Sequence, residues 1–81
     1  MMTYKEARKL ALEMLNKKFN IEKIPSENRH LLTLSGIDKG GYFVFDLYIP
    51  GEKSEDAKVV FSIEINKENK RIIYKSFNFI Q

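Results

Sequence analysis

Apolar residues recur near the start of the chain at helical spacing. Ala7, Leu10, Ala11, Met14 and Leu15 stand at i, i+3, i+4, i+7 and i+8, which puts them on one stripe of an α-helix. Lys5, Arg8, Lys9, Glu13, Asn16 and Lys17 fall mostly on the opposite side. Thr3-Tyr4-Lys5-Glu6 has the form of a capping box, in which the Thr3 hydroxyl accepts from the Glu6 amide and the Glu6 side chain reaches back. The pattern predicts a helix ending near Lys18 or Phe19, with Asn20 as a cap beyond it.

The spacing then changes to that of strands. Residues 20–29 hold Pro25, Ser26, Glu27 and Asn28 and predict a loop, with Ile21 and Ile24 as its anchors to the core. Residues 30–35 are a short strand candidate. Residues 36–41, with Gly36, Gly40 and Gly41, predict a turn. Residues 42–49 carry the strongest strand pattern. Phe43, Phe45, Leu47 and Ile49 alternate with Tyr42, Val44, Asp46 and Tyr48, so the first set faces the core. Pro50-Gly51 ends that strand, and residues 51–57 form a polar, mostly acidic loop.

Val59, Phe61, Ile63 and Ile65 alternate next with Val60, Ser62, Glu64 and Asn66. Residues 66–70 make a turn and residues 71–80 a last strand. That strand has two open registers. One sets Ile72 against Ile65; the other, with a bulge, sets Ile73 against Ile65 and Phe77 against Phe61. A slip of one residue exchanges the faces, so the side of Tyr74 is left undecided. The expected architecture is α+β: one N-terminal helix packed on a four-stranded antiparallel meander sheet, as a single domain over residues 1–81.

Composition narrows the chemistry. The chain has 81 residues, no cysteine, no tryptophan and one histidine, His30. Without disulfides, an apolar core must carry the stability of so short a chain. The lack of cysteine suits a reducing compartment. The N-terminal residues are charged where a secretion signal needs an apolar run, and no stretch reaches the roughly 20 apolar residues of a membrane span. A cytoplasmic protein with no membrane partner is therefore expected. The net charge is +3. Residues 1–30 hold seven cations against four acids, while residues 31–81 hold seven of each.

Candidate catalytic groups are sparse. His30 has no cysteine or second histidine with which to share a transition metal, so no metal and no cofactor are expected. None of the serines lies in a nucleophile-elbow context. The glycines Gly36, Gly40 and Gly41 miss the nucleotide-binding spacings and precede a strand rather than a helix. Asp46 and Glu64 share the non-core face of neighbouring strands. Close approach would raise one of their pKa values and open acid–base chemistry; an open sheet face instead suits them to solvent or to a partner. No catalytic residue is assigned, and the chain is not expected to be an enzyme. The candidate partner-binding residues are Tyr42, Asp46, Tyr48 and Glu64. Tyrosine's size, stiffness and amphipathic ring suit it to interfaces. Nucleic acid is a poorer fit, because acids sit beside the tyrosines and no basic-glycine-aromatic motif is present. A homodimer is a further alternative.

The arrangement resembles small bacterial immunity proteins of polymorphic toxin systems, including the short NTF2-fold immunity proteins. The similar stretches are Ala7-Arg8-Lys9-Leu10-Ala11-Leu12-Glu13-Met14-Leu15, Gly41-Tyr42-Phe43-Val44-Phe45, and Ile63-Glu64-Ile65-Asn66-Lys67-Glu68-Asn69-Lys70. The last looks like a strand-turn pattern that ends in hydrophobic-Asp-Lys-x-x-Gly. Here Asn66 stands for the acid and Lys70 for the glycine. PepSY domains look similar in the same stretches, and a helix followed by four strands is also similar to cystatins, without their Gln-x-Val-x-Gly loop. The resemblance implies a non-enzymatic protein that binds and occludes a toxin or another enzyme. A PepSY-like or cystatin-like regulatory domain is the alternative, and a weak nucleic-acid-binding module comes after it. No functional residue carries over from these families.

Overall fold

Thr3 caps the helix as the sequence predicts, and the Glu6 side chain reaches back to the Thr3 hydroxyl. The Glu6 amide donates to Thr3 Oγ1, and the Thr3 hydroxyl donates to Glu6 Oε1, each at 3.2 Å. Helix α1 runs from there over Tyr4–Lys18, with Phe19 as its C-cap. Glu6 in the first turn and Lys17 and Lys18 in the last complement the helix dipole. Met2 precedes the cap and is buried in the same cluster as Ala7, the arrangement of a hydrophobic staple. Asn20 caps the next element rather than α1: its side chain accepts from the Glu22 amide at 3.0 Å and opens a short 3₁₀ turn, Ile21–Lys23.

The computed structural model describes residues 1–77. After α1 and two 3₁₀ turns, Ile21–Lys23 and Ser26–Leu31, come four strands: β1 Thr33–Asp38, β2 Tyr42–Ile49, β3 Lys58–Asn66 and β4 Ile72–Ser76. They pair in the order β1-β2-β3-β4, all antiparallel. The expected α+β architecture, one helix on a four-stranded antiparallel meander, is the one observed. A 3₁₀ turn, Ser54–Asp56, interrupts the acidic loop between β2 and β3.

The helix packs mainly on β2. Ala7 and Ala11 have no exposed surface and share one cluster with Met2, Phe43, Phe45, Phe61, Ile63 and Ile65. Full burial of each large side chain of this set contributes about 1.5–3 kcal/mol. A second, smaller cluster joins Ile24, Ile49 and Val60, with Phe19, Leu32 and Leu47 packed against it. Of the two expected loop anchors, only Ile24 is buried; Ile21 is exposed. The Arg29 Nε–H donates to the Ile24 carbonyl at 2.9 Å and holds the 3₁₀ segment in place.

Three expectations need correction. The first strand lies later than residues 30–35: His30 and Leu31 close a 3₁₀ turn, and Gly36, Ile37 and Asp38 belong to β1 rather than to a turn. Gly36 is a strand glycine because Tyr4 lies over it. A Cβ there would collide with the Tyr4 ring and with Phe45 Cε1. The turn itself is Lys39-Gly40-Gly41, with Gly40 at φ +94°.

The second correction concerns β3. Leu47 pairs with Phe61 but Tyr48 pairs with Val59, so Val60 is the extra residue of a β-bulge. Val60 is thereby turned into the core and Val59 onto the opposite face. In the uninterrupted alternation Val59, not Val60, would be the core residue. The bulge lets Val60 fill the small cluster beside Ile24 while Phe61 keeps its place in the large one.

The third concerns β4, which spans Ile72–Ser76 rather than residues 71–80; residues 78–80 of the predicted strand lie outside the described residues. Of the two open registers, the structure takes the first: Ile65 pairs with Ile72 and Phe61 with Ser76. Tyr74 therefore lies on the helix side, opposite Ile63, its ring stacked on Phe61 at 5.7 Å between centroids.

The β1–β2 and β3–β4 turns are clasped together at one end of the sheet. Lys67 donates to Asp38 Oδ1 at 2.6 Å, its ammonium lies 4.6 Å from the Phe43 ring centre, and its amide donates to the Gly41 carbonyl. This ion pair, then the Gly40 amide, holds the Asp38 carboxyl below its ordinary pKa. A carboxylate with a depressed folded pKa stabilises the fold above its unfolded pKa, near 3.9, and loses that contribution as pH falls through the folded value. Wild type should therefore be more stable than Asp38→Asn at neutral pH, and the two should converge in acid. Thermal melts of both chains across the acid range test this; a gap that does not change with pH would refute it.

The β3–β4 turn carries a strained residue. Asn66 Oδ1 accepts from the amides of Glu68 and Asn69, and the Lys70 amide donates to the Asn66 carbonyl. Lys70 is left at φ 59°, a left-handed conformation that costs a residue with a Cβ about 1–2 kcal/mol. Glycine avoids this cost but loses more chain entropy. Lys70→Gly is expected to stabilise the protein by about 0.5–1 kcal/mol. Urea unfolding should show a raised midpoint with an unchanged slope; a lowered midpoint would contradict the strain argument.

Candidate functional site

Because α1 covers one face of the sheet, the period-two alternation sends the other set of side chains to the open face. The register arranges them in cross-strand rows. Ile37, Val44, Glu64 and Ile73 form one row, and Ser35, Asp46, Ser62 and Lys75 the next. Thr33, Tyr48 and Val59 form a third beyond the bulge, and Tyr42 pairs with Asn66 at the other end. Ile37, Tyr42, Val59 and Ile73 are all exposed.

The four predicted binding residues all lie on this face, but it divides them between two hollows. Asp46 and Tyr48 line an open hollow of about 380 Å³ with Ser35, Pro50, Lys53 and Val59. Tyr42 and Glu64 line another of about 270 Å³ with Asn66, Asn69, Arg71 and Ile73. The first hollow is bounded on one side by the 51–57 loop, so the sheet face and that loop make one continuous surface. Gly51 makes this bend tight, since a Cβ there would run into Asp56.

The carboxylates of Asp46 and Glu64 are not brought together. Asp46 faces Ser62 and Glu64 faces Val44, which makes the two acids diagonal neighbours at a spacing of about 7–8 Å. Asp46 is already occupied: the Ser62 hydroxyl donates to Asp46 Oδ1 at 2.6 Å, in a partly buried setting. A carboxylate held by its neighbour's hydroxyl suits a fixed acceptor and a fixed charge. His30 stands exposed at the end of its 3₁₀ turn. Among the described residues no group of three or more histidine, cysteine, aspartate or glutamate side chains is placed to hold a metal ion.

Sequence reasoning missed Ile37, Val59 and Ile73 as parts of this surface. Ile37 read as a turn residue, and Val59 was assigned to the core because the bulge leaves no mark in the alternation. Ile73 depended on the undecided register of β4. Ser62 sat in the correct phase, but its bond to Asp46 depends on the pairing of β2 with β3.

The fold and surface define a class, an α+β protein with one sheet face covered by a helix and the other open. Compared with protein-family models, curated proteins and solved structures, the chain matches none. No helix among the described residues is long and apolar enough to cross a membrane.

The Ser62–Asp46 bond is a local test of the site's geometry. Ser62→Ala should cost about 1 kcal/mol, the net worth of an intramolecular hydrogen bond, and release the Asp46 carboxylate. Chemical denaturation together with side-chain NMR of Asp46 would show both effects. An unchanged stability with an unchanged Asp46 environment would mean that the bond does not form in solution.

Proposed function

We propose that the protein is a small binding protein of the inhibitor or immunity type, which acts by seating its open sheet face on another protein and occluding it. The observation that carries this reading is the composition of that face. Four exposed apolar or aromatic side chains, Ile37, Tyr42, Val59 and Ile73, surround the fixed charge of Asp46 and the carboxylate of Glu64. Apolar side chains gathered on one face and set among polar groups favour association, and tyrosines with neighbouring charges supply both contact area and orientation. The resemblance to immunity proteins supports the same reading. Asp46 and Glu64 stand apart as diagonal neighbours and Asp46 is bonded to Ser62, which favours binding over proton sharing between them. The balance of charge outside residues 1–30 suits a protein surface better than a phosphate backbone.

Affinity capture followed by titration tests this. Tyr48→Ala should weaken the complex by about 2 kcal/mol or more, as loss of an aromatic anchor does, while the protein remains folded. Lys9→Glu, on the exposed side of α1, should matter little for a protein partner and much more for a nucleic acid, where it would also flatten the salt dependence. Titrations at two salt concentrations separate the cases. Loss of binding with Lys9→Glu and none with Tyr48→Ala would place the function on the helix and overturn the sheet-face reading.

A further inference from the structure

The fourth strand is an edge, and its backbone polarity follows from the hydrogen bonds at its two ends. The Arg71 carbonyl accepts from the Asn66 amide at 2.9 Å, and the Phe77 amide donates to the Val60 carbonyl at 2.9 Å. Arg71 and Phe77 thus point their backbone groups at β3. In an antiparallel ladder successive residues alternate, so Ile73 and Lys75 also face β3, while the N–H and C=O groups of Ile72, Tyr74 and Ser76 point outward. Among the described residues β4 has a strand on one side only. Proline, bulges, inward-pointing charges and edge lysines such as Lys75 commonly keep such edges from pairing with further copies. The strand has no proline, its pairing with β3 is regular, and Ile73 and Tyr74 are 59% and 45% exposed.

Cations flank this edge on both faces of the sheet. On the helix side, Lys18 lies 5.9 Å from the Tyr74 ring centre and Lys23 donates to Ser76 Oγ at 3.4 Å. On the open side stand Lys75 and Arg71, both exposed, the latter lining the hollow beside Ile73. On that side the acid Glu64 stands directly across from Ile73. A second copy of the chain paired through β4 would bring two such basic edges together. An incoming strand with acidic side chains would neutralise them.

We infer that β4 is a docking edge for an extended, acidic segment of a partner protein, which adds as a fifth strand. Its backbone bonds to the outward groups of Ile72, Tyr74 and Ser76. On one side its apolar side chains pack beside Ile72 and Tyr74; on the other its carboxylates meet Lys75 and Arg71. Main-chain bonds supply affinity in this mode and alternate side chains supply specificity. The site borders the open sheet face, where Arg71 and Lys75 stand, but its main-chain bonds run along the outer edge of β4 and do not depend on what that face binds.

The test uses capped synthetic peptides and the full chain. A fluorescent peptide of alternating valine and glutamate should bind in anisotropy titrations, more weakly as salt rises, and the valine–lysine counterpart should not. Amide exchange followed by NMR should show new protection at Ile72, Tyr74 and Ser76 in the complex. The double variant Arg71→Glu with Lys75→Glu should weaken binding about tenfold or more, as reversal of paired charges does. Ser76→Pro, which removes an outward donor where an edge strand tolerates proline, should weaken it without charge change. Tyr48→Ala should leave peptide binding unchanged, so the docking edge and the open face succeed or fail separately. Equal binding of both peptides, no binding, or protection elsewhere than at β4 would overturn the inference. So would a peptide-free dimer with those three amides already protected, which would assign the edge to a second copy.

Discussion

The structure depends on a close fit between small helix residues and large sheet residues. Ala7 and Ala11 are fully buried in the cluster that holds Phe43, Phe45, Phe61, Ile63 and Ile65. The methyl side chains let the helix axis approach the sheet, and the aromatic and branched side chains of β2 and β3 fill the space this leaves. Larger residues at 7 or 11 would have to push the helix away from the sheet, because interiors are close-packed and overpacking strains them. The same closeness appears at the helix start, where Tyr4 lies over Gly36 and against the rings of Phe43 and Phe45 at 5.8 and 5.5 Å between centroids. One contact layer thus sets the helix position, the glycine in β1 and the face of the sheet that is covered.

The functional surface is the consequence on the other side. A single helix covers a single face, so period-two alternation exposes whatever lies between the core positions. In many small antiparallel sheets that face is polar. Here Ile37, Tyr42, Val59 and Ile73 are placed on it and exposed, with Asp46 held by Ser62 among them. The bulge in β3 contributes directly, because it moves Val59 to the open face while Val60 completes the core beside Ile24. A core requirement at one residue and a surface property at its neighbour thus arise from one backbone irregularity.

Much of this was legible in the residues. The capping box marked the start of α1, the i, i+3, i+4 spacing of Ala7, Leu10, Ala11, Met14 and Leu15 marked its buried side, and the alternation from Tyr42 to Ile49 gave β2 its faces. Tyr42, Asp46 and Tyr48 reached the open face as that alternation required, and Glu64 as the alternation of β3 beyond its bulge required. These features are local, since each depends on backbone geometry over a few residues. The run Val59-Val60-Phe61 was not legible in the same way, because three consecutive apolar residues fit either phase. Gly36 read as a turn residue, because nothing in its neighbours reveals that Tyr4 lies against it from more than thirty positions away.

The sequence by itself determined the element types, their order and the covered face of β2, because helix capping, helical spacing and strand alternation act within a turn or a strand. Tertiary structure alone decided the bulge at Val60, the register of β4 that turns Tyr74 onto Phe61, and the separation of Asp46 from Glu64. Each of these depends on which residues of two strands stand opposite each other. Packing of the whole core selects that choice, since a slip by one residue would bury the polar face and expose the apolar one.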